Sequence, residues 1–302
     1  MTRARIINIE RCSTEDGPGI RTTVFFKGCR LRCRWCANPE SQAFEREILF
    51  KGVKCIGCGR CMEKCRKGAI RIDEKFGMVT LHDRCSMCLE CIDNCYVAAR
   101  VLQGKEYGVD ELMAVLERDE AYYRTSGGGI TFSGGEPLLY ADFIRECAGR
   151  IHERGWTVLI ETCGHVEREG IEKAAGAADI IYCDYKHCSP EKHRLYTGQD
   201  NRLIIDNIRW LDRNFKGELS LRYPYIPGCN DRPDEVEAFL GFAQELESVK
   251  DVVFLPYHRL GLDKYKGLGR EYEMGDMPSL KIKDIEFLKE YEKEYDLNIS
   301  VY

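Results

Sequence analysis

Gly28-Cys29-Arg30-Leu31-Arg32-Cys33-Arg34-Trp35-Cys36 is the stretch that decides how this chain folds. It follows Ile20-Arg21-Thr22-Thr23-Val24-Phe25-Phe26, a β-branched and aromatic run that predicts a strand ending at Gly28. The stretch offers three thiols, spaced Cys-x3-Cys-x2-Cys, and no obvious fourth ligand. A four-iron cluster held by three thiolates keeps one iron free. Such an open position marks a catalytic metal site, whereas a structural site closes its shell. On spacing alone, zinc with a remote fourth ligand is the alternative.

The thiols keep clustering beyond Cys36. Of 17 cysteines, eleven fall between Cys29 and Cys95 in three groups. In a small secreted protein that number would mean disulfides; in a large chain without an export signal, clustered thiols mean metal. Cys55-x2-Cys58-x2-Cys61-x3-Cys65 and Cys85-x2-Cys88-x2-Cys91-x3-Cys95 both match the bacterial two-cluster ferredoxin run, whose fourth cysteine ligates the other cluster. The expected sets are Cys55, Cys58, Cys61 and Cys95 for one [4Fe–4S] cluster, and Cys85, Cys88, Cys91 and Cys65 for the second. Arg66 and Tyr96 stand where the run usually ends in proline, which alters the turn and not the ligand count. A pair of structural zinc sites is the alternative here. The runs repeat at an offset of 30 residues, within a stretch from about 45 to 105 that lacks long periodic segments. A metal-scaffolded insert is expected there.

After residue 107 the pattern changes. Helical spacing at 109–118, 138–154, 166–176, 201–214, 233–247 and 281–295 alternates with strand-like runs at 129–133, 157–160, 179–183, 219–225, 252–257 and 298–302. Such alternation implies parallel βα units. Counting the first strand gives about six, fewer than a full barrel. The expected fold class is α/β: a partial (β/α)6 TIM-like barrel from 1–44 and 106–302, with an inserted two-[4Fe–4S] ferredoxin-like domain at 45–105. Glu136, Glu161, Asp184, Arg222 and His258 each follow a strand, where the C-terminal mouth of a barrel does its chemistry. Solvated strand-end charges are the plainer reading of each.

The net charge of -5 argues against a dedicated nucleic-acid binder. No apolar run approaches the roughly 20 residues of a membrane span. Residues 1–10 include Arg3 and Arg5 but no apolar secretory segment, so a cytoplasmic protein that engages no membrane is expected.

The Cys29 to Cys36 spacing after a first strand is that of radical S-adenosylmethionine (SAM) enzymes. From Gly17-Pro18-Gly19-Ile20-Arg21 through Phe25, Gly28-Cys29 and Cys36-Ala37-Asn38, the chain closely resembles the glycyl-radical enzyme activating enzymes, the pyruvate formate-lyase activating enzyme-like family. The resemblance continues through Ser133-Gly134-Gly135-Glu136-Pro137, Asp184-Tyr185-Lys186 and Pro256-Tyr257-His258. It takes in the two-cluster insert of one branch. It implies that Cys29, Cys33 and Cys36 hold a [4Fe–4S] cluster whose open iron is chelated by SAM. One electron then splits the S–C5′ bond, and the 5′-deoxyadenosyl radical removes hydrogen from a glycine of a partner enzyme. The implied cofactors are three [4Fe–4S] clusters and SAM, which carry the difficult chemistry while the protein positions and shields them.

By the same likeness, Gly134, Gly135 and Glu136 receive the methionine amino group, the glycines by close backbone approach and Glu136 by charge-assisted hydrogen bonds. Without the family, residues 127–135 are a glycine-rich turn that lacks the Lys-Ser/Thr of a phosphate loop. Glu161, Thr162, Asp184 and Lys186 match positions around the ribose and carboxylate. Glu161 stands where some members carry Asp, which puts a cation site there in question. Arg222 and His258 match positions lining the cofactor pocket. Asp16 and residues 17–21 would receive the partner's glycine loop, or simply form a turn. Cys12, Cys147, Cys163, Cys183, Cys188 and Cys229 belong to no ligand run and read as buried free thiols. Residues 281–294 read as a solvated amphipathic helix.

The implied partners are a glycyl-radical enzyme and an electron donor such as flavodoxin or ferredoxin. Cys36-Ala37-Asn38-Pro39-Glu40-Ser41 and Gly269-Arg270-Glu271-Tyr272 are similar to activators of arylacetate decarboxylases. Two other readings compete. One is a radical SAM enzyme acting on a small molecule or peptide, against which residues 17–21 weigh. The other is a non-catalytic electron carrier, which explains Cys55 to Cys95 but not the open site.

Overall fold

The computed structural model describes residues 2–302. Strands β1 (Arg3–Ser13) and β2 (Arg21–Phe26) pair antiparallel, Ile6 opposite Phe26 and Ser13 opposite Arg21. The insert follows with β3 (Glu47–Phe50), β4 (Ile70–Asp73), β5 (Gly77–Thr80) and β6 (Arg100–Gln103). β3 pairs with β6, and β4 with β5, both antiparallel. The 30-residue repeat therefore reaches past the cysteines. β3 maps onto β5 and β4 onto β6, and the pair Glu47–Gln103 becomes Gly77–Asp73. Each half lends one strand to each small sheet.

β7 (Lys105–Gly108) returns the chain to the main sheet, antiparallel to β1. There follow β8 (Gly129–Gly134), β9 (Thr157–Thr162), β10 (Ile180–Asp184), β11 (Glu218–Tyr225), β12 (Asp251–Pro256) and β13 (Asn298–Val301). The sheet order is β13-β12-β11-β10-β9-β8-β2-β1-β7. From β2 to β13 every neighbouring pair is parallel. Among the described residues, six crossovers thus join seven parallel strands, and the sheet has edges at β13 and β7. This is the expected α/β architecture, a large and mostly parallel sheet.

Alternation along the strands separates core from site. Ile130 and Phe132, Val158 and Ile160, Leu219 and Leu221, and Val252 and Phe254 are buried with apolar helix residues in one continuous core. Each such side chain contributes about 1.5–3 kcal/mol of transfer free energy. The residues between them point to the other face of the sheet, which becomes the barrel interior. At the base of that interior Arg21 is fully buried. It donates to Thr131 Oγ1 (2.7 Å), Pro18 O (3.1 Å), Thr157 Oγ1 (3.0 Å) and Ile130 O (2.8 Å), tying β2, β8 and β9 together. Burial pushes its guanidinium down to about 10.

Several elements differ from the sequence pattern. β1 and β7 are unannounced because most of their residues are exposed or half-buried and polar ones predominate. A helix, Pro190–Thr197, precedes Arg202–Asn214; its signals are Pro190 in the first turn and Ser189, whose Oγ accepts from Lys192 N–H (3.2 Å). The helix expected over 281–295 is a short turn, Ile282–Ile285, followed by a 3-10 helix, Glu286–Lys293.

Candidate active site

Gly28, with φ +107°, turns the chain from β2 into the cysteine loop. A Cβ on Gly134 would lie 2.4 Å from Phe26 N, and one on Gly135 would lie 2.3 Å from Gly28 O. Both glycines are needed because the end of β8 lies directly against the start of that loop. Gly135 N–H donates to Phe26 O (2.9 Å), Glu136 N–H to Gly28 O (2.8 Å), and Gly28 N–H to Ser41 O (2.6 Å). The far side of the loop hangs on the end of helix Pro190–Thr197. There Arg32 N–H donates to Thr197 O (2.6 Å) and Arg34 N–H to Tyr196 O (3.1 Å).

Cys29, Cys33 and Cys36 line a cavity of about 250 Å³ at the C-terminal ends of the parallel strands. Gly134, Gly135, Glu161, Thr162, Asp184, Lys186, Arg222 and His258 line the same space. Strand register brings them together, with Tyr182 beside Glu161 and Asp184 beside Arg222. Arg222 Nη1 donates to Glu161 Oε1 at 2.5 Å, and Ser133 Oγ to Glu161 Oε2 at 2.6 Å. The Arg222 guanidinium lies 4.0 Å over the Tyr182 ring. Burial raises the Glu161 carboxyl against the pull of Arg222. Lys186 Nζ donates to Asp184 Oδ2 at 2.7 Å. Burial disfavours its charge, but Asp184 and the nearby thiols outweigh that and hold the ammonium above its usual range.

The residues fit an open cluster with an amino-acid-like ligand. Burial pushes the Cys33 thiol up to about 12 and the Cys36 thiol up to about 11. Such thiols keep their protons at neutral pH unless a metal displaces them. Among the described residues Arg222 Nε is buried without a partner, a donor suited to a carboxylate oxygen. Among the described residues no three His, Cys, Asp or Glu converge as around a single ion. A cluster with each thiol on a separate iron needs them wider apart.

The insert carries two further thiol-lined cavities. One is lined by Cys55, Cys58, Cys61 and Cys95, the other by Cys65, Cys85, Cys88 and Cys91. The fourth thiol of each run thus stands with the other run. Ala69 N–H donates to Cys65 Sγ (3.3 Å) and, thirty residues on, Ala99 N–H to Cys95 Sγ (3.2 Å). Gly57, Gly59 and Gly68 have φ of +71°, +71° and +56°, and Met87, Leu89 and Ala98 repeat them at +53°, +68° and +50°. The loop geometry repeats where glycine does not, so the second half holds left-handed strain that the first avoids.

Residues 83–243 match the family model of the radical SAM superfamily, and residues 54–99 that of the 4Fe-4S dicluster domain. The chain is 36% identical to the choline trimethylamine-lyase activating enzyme of Oleidesulfovibrio alaskensis, over 99% of this chain and 98% of that one. It is 39% identical to the indoleacetate decarboxylase activating enzyme of Tractidigestivibacter scatoligenes, over 90% and 89%. It is 40% identical to the 4-hydroxyphenylacetate decarboxylase activating enzyme of Clostridioides difficile, over 90% and 87%. The chain belongs to the radical SAM activating enzymes of glycyl-radical enzymes. A radical SAM methyltransferase from Sphaerobacter thermophilus shares the fold, with a TM-score of 0.54 at 13% identity, over 100% of this chain and 77% of that one.

In this activating enzyme two of the expected site residues stand apart from the cavity lining. Glu136 is buried, and its carboxylate accepts from Leu138 N–H (3.0 Å), Thr162 Oγ1 (2.7 Å) and Cys163 N–H (2.9 Å). These bonds brace the end of β9. Asp16 accepts from Ser13 Oγ (2.7 Å) and Thr23 Oγ1 (2.6 Å), within the barrel interior. Cys163, expected as an ordinary buried thiol, lines the cavity. Its hydrogen bond holds the Cys29 thiol below the usual range. Its place two residues past Glu161, at the same strand end, was the available signal. Cys147, Cys183 and Cys229 are buried and Cys188 is half-buried; Cys12 departs from the expectation. It is exposed at the irregular end of β1, with φ +59°. Among the described residues no helix is long and apolar enough to cross a membrane.

Proposed function

We propose that Cys29, Cys33 and Cys36 hold a [4Fe–4S] cluster with one open iron and that SAM occupies the cavity beside it. Bound there, the pair supplies reductive cleavage of the S–C5′ bond and abstraction of hydrogen from the partner's glycine. The observation that carries the proposal is convergence. Three thiols of one loop share a cavity with Lys186, Arg222 and the Gly134–Gly135 backbone. Lys186, fixed by Asp184, sets positive charge beside three thiolates that would otherwise repel one another. Arg222, held by Tyr182 and Glu161, turns Nε to the ligand's carboxylate. Gly134 and Gly135 present backbone to the methionine amino group. Glu161, Thr162 and Asp184 face the ribose, and His258 stands exposed at the rim. Asp16, whose charge reaches Glu161, is the residue proposed to meet the partner's glycine loop.

In this reading residues 1–44 and 106–302 form the catalytic barrel. Residues 45–105 hold two more [4Fe–4S] clusters, on Cys55, Cys58, Cys61 and Cys95 and on Cys85, Cys88, Cys91 and Cys65. A flavodoxin or ferredoxin supplies electrons in the cytoplasm. The partner is taken to be an arylacetate decarboxylase, on the local likeness at residues 36–41 and 269–272. Relatives named for isethionate sulfite-lyase activation are also 39% identical, so a neighbouring reading frame with a glycyl-radical loop is the discriminating observation.

Anaerobic reconstitution, dithionite reduction and addition of SAM test the proposal. 5′-Deoxyadenosine and methionine should form, and a co-incubated partner should show the EPR doublet of a glycyl radical. Absence of the nucleoside would sink the reading. Nucleoside without a doublet would move it to a radical SAM enzyme of a small molecule or peptide.

A further inference from the structure

The electron that activation consumes comes from outside the chain, and the two halves of the insert offer it different surfaces. Because a 30-residue repeat relates the halves, each serves as a control for the other. Residues 51–67 carry Lys51, Lys54, Arg60, Lys64, Arg66 and Lys67 against the single acid Glu63, a net charge of +5. Residues 81–97, the equivalent stretch, carry Arg84 against Asp83, Glu90 and Asp93, a net charge of -2. The loop geometry and the thiol set are the same in both, so neither requires the excess. All six cations are exposed. Among the described residues only Arg66 of the six meets a carboxylate, Glu90 at 3.5 Å.

Apolar side chains stand among these charges. Val53 is 91% exposed, Ile56 71% and Tyr96 81%, and the Arg60 guanidinium lies 4.5 Å over the Tyr96 ring. Ile56 lines the cavity of Cys55, Cys58, Cys61 and Cys95, and Cys58 is itself exposed. In the other half Asp83 and Ser86 take the places of Val53 and Ile56. Arg66 and Lys67 line the other cavity, which leaves Lys51, Lys54, Arg60 and Lys64 with Val53, Ile56 and Tyr96 near the Cys55 set, where the equivalents of those four cations, Leu81, Arg84, Glu90 and Asn94, hold one cation.

We propose that this face docks an acidic, low-potential one-electron carrier protein, which reduces the cluster held by Cys55, Cys58, Cys61 and Cys95. The carrier loses one electron and the cluster gains it; no proton or group moves. The inference rests on the cluster ligation given above. Charge attraction steers the carrier to the face, and Val53, Ile56 and Tyr96 exclude water where the two proteins touch.

The test uses the reconstituted holoenzyme and follows 5′-deoxyadenosine, with electrons from either a reduced acidic ferredoxin or dithionite. One variant combines Lys51→Glu, Lys54→Glu, Arg60→Glu and Lys64→Glu; a second combines Ile56→Ser with Tyr96→Ser. A control carries Lys281→Glu and Lys283→Glu. Ferredoxin-driven kcat/KM should fall about tenfold or more in the first two, and should fall with added salt in the unaltered enzyme. The control with ferredoxin, and all variants with dithionite, should match the unaltered enzyme. Equal loss with both reductants, or unchanged ferredoxin-driven rates, would overturn the proposal. So would weakened activation of the glycyl-radical partner under dithionite, which would assign the face to that partner. Failure of the activating reading itself looks different, because the unaltered enzyme would then make no nucleoside with either reductant.

Discussion

Cys33 is half-buried in the cavity lining and Glu136 is buried outside it, and the two are expected to fail in different ways. Cys33→Ala leaves two thiols where three are needed to fix a cluster. The variant should keep the insert's clusters, bind about two-thirds of the usual iron, and make no 5′-deoxyadenosine. Iron assay and EPR of the reduced protein check this. Glu136→Ala strands three donors, Leu138 N–H, Thr162 Oγ1 and Cys163 N–H, in a site only 1% exposed. That costs about 2–4 kcal/mol, while Glu136→Gln, which keeps one acceptor oxygen and the shape, costs less. Thermal unfolding should rank the unaltered enzyme above Gln and Gln above Ala, with SAM affinity nearly unchanged in the Gln variant. A folded Gln variant that had lost SAM affinity would place the side chain at the ligand after all. The contrast also shows what the sequence can reveal at this scale. Ligand thiols declare themselves because their spacing is local. The direction taken by Glu136, and the Arg222–Glu161 pair, depend on how strands far apart in the chain are registered.

Helix Pro190–Thr197 holds the cysteine loop through its last carbonyls, and it contains a pH-sensitive contact. His193 Nδ1–H donates to Gln199 O at 2.5 Å, and Nε2 is buried with no partner among the described residues. Burial pushes the ring down to about 4 from its ordinary 6.5. A depressed pKa means the folded state prefers the neutral ring. Stability is therefore full above pH 6.5 and is lost as pH falls toward 4, by about 1 kcal/mol at pH 5.5. Urea unfolding at pH 7.5 and 5.5 should show that loss in the unaltered enzyme and much less of it in His193→Gln. The insert loops make a second element-scale test. Ala98, exposed at φ +50°, repeats Gly68 at φ +56°. Ala98→Gly should raise stability by roughly 1 kcal/mol and Gly68→Ala lower it by a similar amount, read by denaturant unfolding of the holoenzyme. Elements with an apolar period were readable from the chain. β1 was not, because it is a polar strand near the sheet's edge, stabilised by neighbours and not by a pattern of its own.

At the scale of the molecule the insert is built onto the catalytic loop and is not a loose appendage. Lys27, buried in the chain just before Cys29, donates through Nζ to Glu47 Oε2 (2.9 Å) and Glu40 O (2.7 Å). Arg270 Nη2 reaches the same Glu47 at 2.5 Å. Glu47 opens β3, so one buried carboxylate joins the insert's first strand, the cysteine loop and the segment after helix Leu262–Leu268. Buried ion pairs of this kind fix geometry more than they add stability, since desolvation offsets much of the attraction. A fixed geometry is what electron transfer between centres requires. A relay through the insert, proposed on that ground, is testable one cluster at a time. Cys58→Ala and Cys88→Ala each break one auxiliary ligand set and leave Cys29, Cys33 and Cys36 intact. Both variants should retain the catalytic cluster's EPR signal and form 5′-deoxyadenosine with dithionite, which is small enough to bypass the insert. With a protein carrier as the only reductant, turnover should be lost. Turnover unchanged with the carrier would show that electrons reach the catalytic loop directly, leaving the insert a structural or partner-docking part.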